Sequence, residues 1–183
     1  MSLCKVVLFV SLANVSLLLA ATPPQMTHGM PMHTLDDATI FGIFDEVNAA
    51  DVWTARVGLK NGHSPEVRAL ARAVVSDHEQ VQQMMRDLAK KLSINPVPPN
   101  SDNNAQNHAK TIAMLQGKSG AEFDRAYLLH EIEFHTAAVH VVKQTLLPAI
   151  QNEEFKELVQ KVLPGLEHHL AETEETAHKL GYK

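Results

Sequence analysis

Four stretches of the chain bring apolar side chains back at intervals of three and four residues, the period of a helix that buries one face. The first expected helix runs from about Asp36 to Asn61, and its seam steps through Ile40, Phe44, Val47, Asp51, Thr54 and Gly58. The second, from Ser64 to about Leu92, carries Val67, Ala71, Val74, His78, Val81, Met85, Leu88 and Leu92 in register. In the third, Leu128, Ile132, Ala138, Val139, Val142 and Leu146 share a face with Glu131 and His135, while His130, Glu133 and His140 point away. The fourth starts after Asn152 and aligns Phe155, Val159, Val162, Leu166, His169, Thr173 and Leu180.

The residues between these runs are helix starts and stops. Asp36 and Asp37 suit the positive end of the first helix, and Gly62 its C-terminus. Ser64-Pro65-Glu66 supplies an N-cap, a first-turn proline and a first-turn acid. Ser119 and Glu122 have capping-box spacing at the start of the third helix. Leu147-Pro148 and Asn152 end the third and open the fourth, in which Pro164-Gly165 is expected to produce a kink one turn before His169. The run INPVPPNSDN, Ile94 to Asn103, is too rich in proline for regular helix, and a short amphipathic piece from Ala105 to Gln116 follows it. With no convincing strand and no internal repeat, the pattern predicts an all-α four-helix bundle with a short extra helix in the connection between helices 2 and 3.

The N-terminus follows a different pattern. One lysine, an apolar run from Val6 to Leu19 and Ala20-Ala21 ahead of Thr22 read as a secretory signal peptide over residues 1–21, against the alternative of an uncleaved anchor. Asn14 and two serines interrupt the run, which is short for a membrane span, so no span is expected after cleavage. Residues 22–34 then form a flexible tail, and residues 35–183 the bundle domain. Within the tail, Met26, His28, Met30, Met32 and His33 offer soft and borderline donors that suit copper as Cu(I); the alternative is a plain spacer.

Composition narrows the chemistry further. The only cysteine is Cys4, so cleavage leaves no thiolate, and any metal must be held by His, Asp, Glu or Met. The formal charge is −5, one unit more negative once Lys5 is removed, and no basic stripe suits a nucleic acid partner. There is no nucleophile elbow, glycine-rich phosphate loop or Cys-His pair.

Every helix places an ionisable residue on its buried seam near its midpoint: Asp51, His78, Glu131 with His135, and His169. Such groups are costly in an apolar interior unless they are paired or share a cation. Three neutral imidazoles and two carboxylates suit one divalent metal ion, with His78, His135 and His169 as the leading ligands and Asp51 and Glu131 behind them. The alternative is a metal-free network of buried histidines and carboxylates in a structural or stress-related protein. A di-iron oxidase or peroxide scavenger fits less well. Such bundles use four carboxylates and paired Glu-x-x-His motifs, and Glu131 to His135 is one residue too long.

Three segments also resemble one family: SPEVRALARAVVSDH ending in His78, FDRAYLLHEIEFH ending in His135, and LPGLEHHL containing His169. They are similar to the exported ferritin-like bundles of domain of unknown function 4142, often labelled predicted outer membrane proteins. The resemblance covers roughly Asp36 to Leu180. It implies a ferritin-like bundle and a periplasmic or outer-membrane-associated location, while the family's activity is unsettled. The family commonly has Glu in the first helix after Asn and two small residues, where this chain reads NAAD and supplies Asp51. Glu131 stands at a usually apolar position, as an added ligand or a partner for His135.

Mature protein is expected to begin near Thr22 and to stay soluble without detergent. N-terminal sequencing of the exported product checks this, and Met1 or Ser2 at the N-terminus refutes it.

Overall fold

The computed structural model describes residues 35–98 and 102–182, and the expected signal peptide (1–21) and Met/His tail (22–34) lie outside the described residues. The helices are α1 (Asp37–Asn61), α2 (Pro65–Lys91), α3 (Asp102–Gln116), α4 (Gly120–Val141), α5 (Leu147–Ala149) and α6 (Glu153–Lys179), with a π-helical turn at Val142–Leu146. No strand occurs among the described residues. The fold is the expected all-α four-helix bundle of α1, α2, α4 and α6, with α3 as the extra helix.

Three helix starts are capped as the sequence indicates. Asp36 Oδ1 accepts from the Thr39 N–H at 2.8 Å, Ser64 Oγ from Val67 at 3.2 Å and Asn152 Oδ1 from Phe155 at 3.0 Å. The expected Ser119–Glu122 capping box is a correction, because the Ser119 side chain makes no capping bond. Gly120 turns the chain through φ +59°, and the first turn closes instead on the Ser119 carbonyl, which accepts from Phe123 N–H at 3.3 Å. Helix α6 continues through Pro164. At the other end of the pair, α4 widens into a π turn before Pro148, which has no N–H to continue the α pattern; the Leu147 N–H reaches back to Val142 O.

Two apolar clusters give the helix directions. One joins Phe41 and Phe44 at the start of α1, Met85 near the end of α2, Leu146 beyond α4 and Phe155 at the start of α6. The other joins Val57 late in α1, Val67 early in α2, Leu115 late in α3, Phe123 early in α4 and Ala177 late in α6. Helices α1, α3 and α6 therefore run one way, and α2 and α4 the other. The long connection crosses the length of the bundle, the one-crossover topology of ferritin-like folds.

Acid forks pin both ends. Asp124, fully buried, accepts from His63 N–H and Ser64 N–H, each at 2.7 Å, and so holds the α1–α2 turn. Asp37 accepts from Gln151 N–H and Asn152 N–H, each at 2.9 Å, at the α6 entry. The crossover is laid against α1 by Val97 N–H, which donates to Ala38 O at 2.9 Å. Gly42 permits this approach, since a Cβ there would lie 2.0 Å from Val97 O.

Gly42→Ala should therefore loosen the crossover despite a gain in helix propensity, lowering the melting temperature by roughly 3–8 °C. A Cβ at Gly165 meets nothing within 4 Å. Gly165→Ala is accordingly expected to melt at or slightly above the wild type, because Ala favours a helix interior by about 0.5–1 kcal/mol over Gly. Thermal melts of both variants check the pair, and equal losses would contradict this packing.

Candidate metal centre

Between the two apolar clusters lies a layer of polar side chains. Asn48, Asp51 and Thr54 come from α1, His78 from α2, Glu131 and His135 from α4, and His169 and Thr173 from α6, all at most 4% exposed. Each stands where its helix pattern would place an apolar residue, so the seam that builds the core also carries the polar groups into it.

Hydrogen bonds made on the far side of two rings determine what those rings offer the interior. Asn48 donates its amide to Phe44 O at 2.7 Å, which leaves Asn48 Oδ1 as acceptor for the His78 Nδ1–H at 3.0 Å. His135 Nδ1–H likewise donates to the Glu131 backbone oxygen at 3.0 Å. In a neutral imidazole with Nδ1 protonated, Nε2 carries a lone pair. Both Nε2 atoms point to one acid: His78 Nε2 is 3.1 Å and His135 Nε2 is 3.5 Å from Asp51 Oδ2. Two lone pairs thus face a carboxylate oxygen, and Asp51 Oδ2 and His135 Nε2 have no hydrogen-bond partner.

Electrostatics keep these rings neutral. Burial, reinforced by His135 and His169, pushes His78 down to about 3, and burial pushes His135 down to about 4. Burial raises Asp51 to about 7. Glu131 is held well above the usual carboxylate range by burial and by the Asp51 charge. Near neutral pH the imidazoles are therefore neutral lone-pair carriers, Glu131 holds its proton, and Asp51 stands between acid and carboxylate.

That donor set fits a metal ion. Bonds of about 2.0–2.2 Å to His and carboxylate ligands separate neighbouring ligand atoms by about 3–3.5 Å at tetrahedral or octahedral angles, the spacing found around Asp51 Oδ2. Ligand atoms of Asp51, His78 and His135 all lie within 4.8 Å of one another. The other two sequence candidates adjoin this trio. Glu131 Oε2 is 3.7 Å from His135 Nδ1, and neither Glu131 oxygen has a hydrogen-bond partner. His169 has its ring centroid 5.4 Å from that of His78 and 5.7 Å from that of His135, but its Nε2 is engaged by Asp77 Oδ2 at 3.3 Å.

Three supporting residues escaped the sequence reading. Asn48 was not singled out as a site residue, although its place three residues before Asp51 puts it on the same face. Asp77 points off the α2 seam yet reaches His169. Tyr127 lies one turn before Glu131, fully buried, with its hydroxyl unpartnered and its pKa raised by burial and by the Glu131 and Asp51 charges.

Fold and site together define a four-helix bundle with a buried aspartate–histidine centre that can hold a metal ion. The family model for a domain of unknown function, DUF4142, matches residues 21–176, and the chain belongs to that family. No curated protein and no solved structure matches the chain.

In metal-free protein, the acid and the imidazoles give opposite pH dependences. Asp51 ionises at about 7 when folded against 3.8 ordinarily, so its contribution is intact below about 4 and is lost as pH rises towards 7. His78 and His135 ionise at about 3 and about 4 when folded against 6.5 ordinarily, so theirs is intact above 6.5 and is lost as pH falls. Asp51→Asn removes the first cost and turns an amide N–H towards the lone pairs. In chelator at pH 8 it should stabilise the fold by on the order of a few kcal/mol, or roughly 5–10 °C, with a smaller gain at pH 5. Melting curves at the two pH values check this, and an unchanged midpoint at pH 8 would contradict it.

Proposed function

We propose that this protein is an exported metal-binding four-helix bundle whose mid-bundle centre takes one divalent transition-metal ion. The observation that carries the reading is the convergence of two imidazole Nε2 atoms on Asp51 Oδ2, with both ring tautomers set by hydrogen bonds on the far side. A buried anion facing lone pairs is stabilised by a shared cation, and outer hydrogen bonds that fix imidazole tautomers are the usual support of metal ligands. His78, His135 and Asp51 would hold the ion, with Glu131 and His169 placed to complete or adjust its surroundings. An imidazole and carboxylate set without thiolate suits zinc, iron, nickel or copper better than calcium or magnesium.

A single ion is favoured over a di-iron pair. Among the described residues, Asp51 and Glu131 are the buried carboxylates in this layer, whereas a di-iron bundle uses four; the other fully buried acid among them, Asp124, is committed to the α1–α2 turn. The N-terminal signal pattern is the basis for export to the periplasm, with outer-membrane association as the alternative. No described helix is long and apolar enough to cross a membrane. The Met/His tail is proposed as a separate capture point for copper.

Removing the ion from untagged protein with a strong chelator should lower the melting temperature, because an ion at 100 times its dissociation constant stabilises the fold by about 2.7 kcal/mol. His78→Leu and His135→Leu should abolish both metal occupancy, read by elemental analysis, and the chelator response. Identical melting of the wild type with and without chelator, after confirmed metal removal, would overturn the reading in favour of a metal-free network.

A further inference from the structure

Beside the polar layer, towards the cluster of Phe41 and Phe155, the bundle holds a partly open cavity of about 250 Å³ lined by residues of all four long helices. Phe44, Val81, Phe134, Ala138, Val142 and Leu166 supply its apolar wall, and Gly165 and Val141, both exposed, stand at its rim. Two irregularities in the helices border this space. The π turn begins at Val142, and opposite it Gly165 has no side chain, with open space where a Cβ would be. Its polar lining residues are Asn48, Asp77, His78 and His169.

His169 determines what kind of molecule fits. Its Nε2 lies 3.3 Å from the Asp77 carboxylate, which favours the proton on that nitrogen and leaves Nδ1 as the acceptor. His169 is 2% exposed, and Nδ1 has no partner. An apolar chamber whose lining holds one buried, unpaired acceptor matches a small apolar body bearing one O–H or N–H donor. Anionic head groups are disfavoured by the carboxyls of Asp77, Asp51 and Glu131. An apolar cavity of about 150 Å³ accepts benzene, so this larger one has room for two fused rings or a chain of roughly eight to ten carbons.

We propose that the chamber between the four helices binds a neutral, mainly hydrocarbon molecule with a single hydroxyl-type donor, which hydrogen-bonds to His169 Nδ1. The site adjoins the Asp51–His78–His135 trio, sharing His78 in its wall, and does not require the metal ion.

The probe is 2-naphthol, followed by its own fluorescence in titrations of the full chain in the presence of chelator, so that failure of the metal reading does not affect the result. Saturable one-to-one binding is expected. Roughly tenfold weaker binding is expected for 2-methoxynaphthalene, which keeps the rings but lacks the O–H, and for the anion 2-naphthoate. Ala138→Phe, which fills the chamber, should weaken 2-naphthol binding at least tenfold. Gly165→Leu, placed where a Cβ meets no neighbour, is the second blocking variant should Ala138→Phe fail to fold. Absence of saturable binding, or binding unchanged in the folded blocking variants, would overturn the proposal. Equal affinity for 2-methoxynaphthalene would overturn the assigned hydrogen bond.

Discussion

A carboxylate oxygen held against two imidazole lone pairs in a water-excluded layer is the constraint on which the rest of the bundle depends. Asp51 Oδ2 lies within 3.5 Å of both His78 and His135 and has no hydrogen-bond partner. Left as an anion there, it opposes folding; a proton or a metal ion relieves it. The rings cannot supply the proton by rotating, because Asn48 and the Glu131 carbonyl hold their Nδ1–H groups on the far side. The demand for a cation is therefore built in by residues one shell further out, and these outer bonds are backbone-anchored at Phe44 and Glu131.

Such a centre requires helices that do not slide. A one-turn slip moves a residue about 5.4 Å along the axis, more than the whole spread of the ligand atoms. Apolar packing alone is a weak defence, since a helix face repeats every few residues. The acid forks remove that freedom. Asp124 fixes the start of α4 to the α1–α2 turn, and Asp37 fixes the start of α1 to the α6 entry. Each uses two backbone N–H groups near a helix N-terminus that would otherwise lack partners. A carboxylate accepting two such bonds is directional in a way that a leucine in a groove is not.

Much of this was legible in the sequence because helical periodicity converts position into direction. Asp51, His78, Glu131, His135 and His169 could all be placed on inward faces, and the proline-rich run from Ile94 marked the one long connection. Periodicity says nothing about torsion angles at the side chain. It could not reveal that His169 is turned to Asp77 while His78 and His135 turn to Asp51, nor that Asn48 orients His78. Helix direction across the long connection was equally hidden, since a residue at a helix midpoint lies at mid-bundle either way up. The Ser119–Glu122 spacing failed for a local reason, as Gly120 enters the helix from the left-handed region. The π turn at Val142 has only Pro148 as a sequence signal, and a proline there reads equally well as a plain stop.

The layer also divides the bundle's interior into two unlike halves. Towards Phe123, the fully buried Tyr127 and Glu131 continue the polar character, with Tyr127 filling the space over Gly58, where a Cβ would come within 2.6 Å of its ring. Towards Phe155, the chamber beside His78 and His169 is almost wholly apolar. Water gains little in that half, so interactions at the imidazoles are screened less than they would be in a hydrated cleft. A polar link to solvent comes instead through Asp77, whose side chain is 56% exposed and whose carboxylate meets the buried His169. A charged species and an apolar one thus meet different approaches to the same three rings, and His169, in contact with both, is where the two converge.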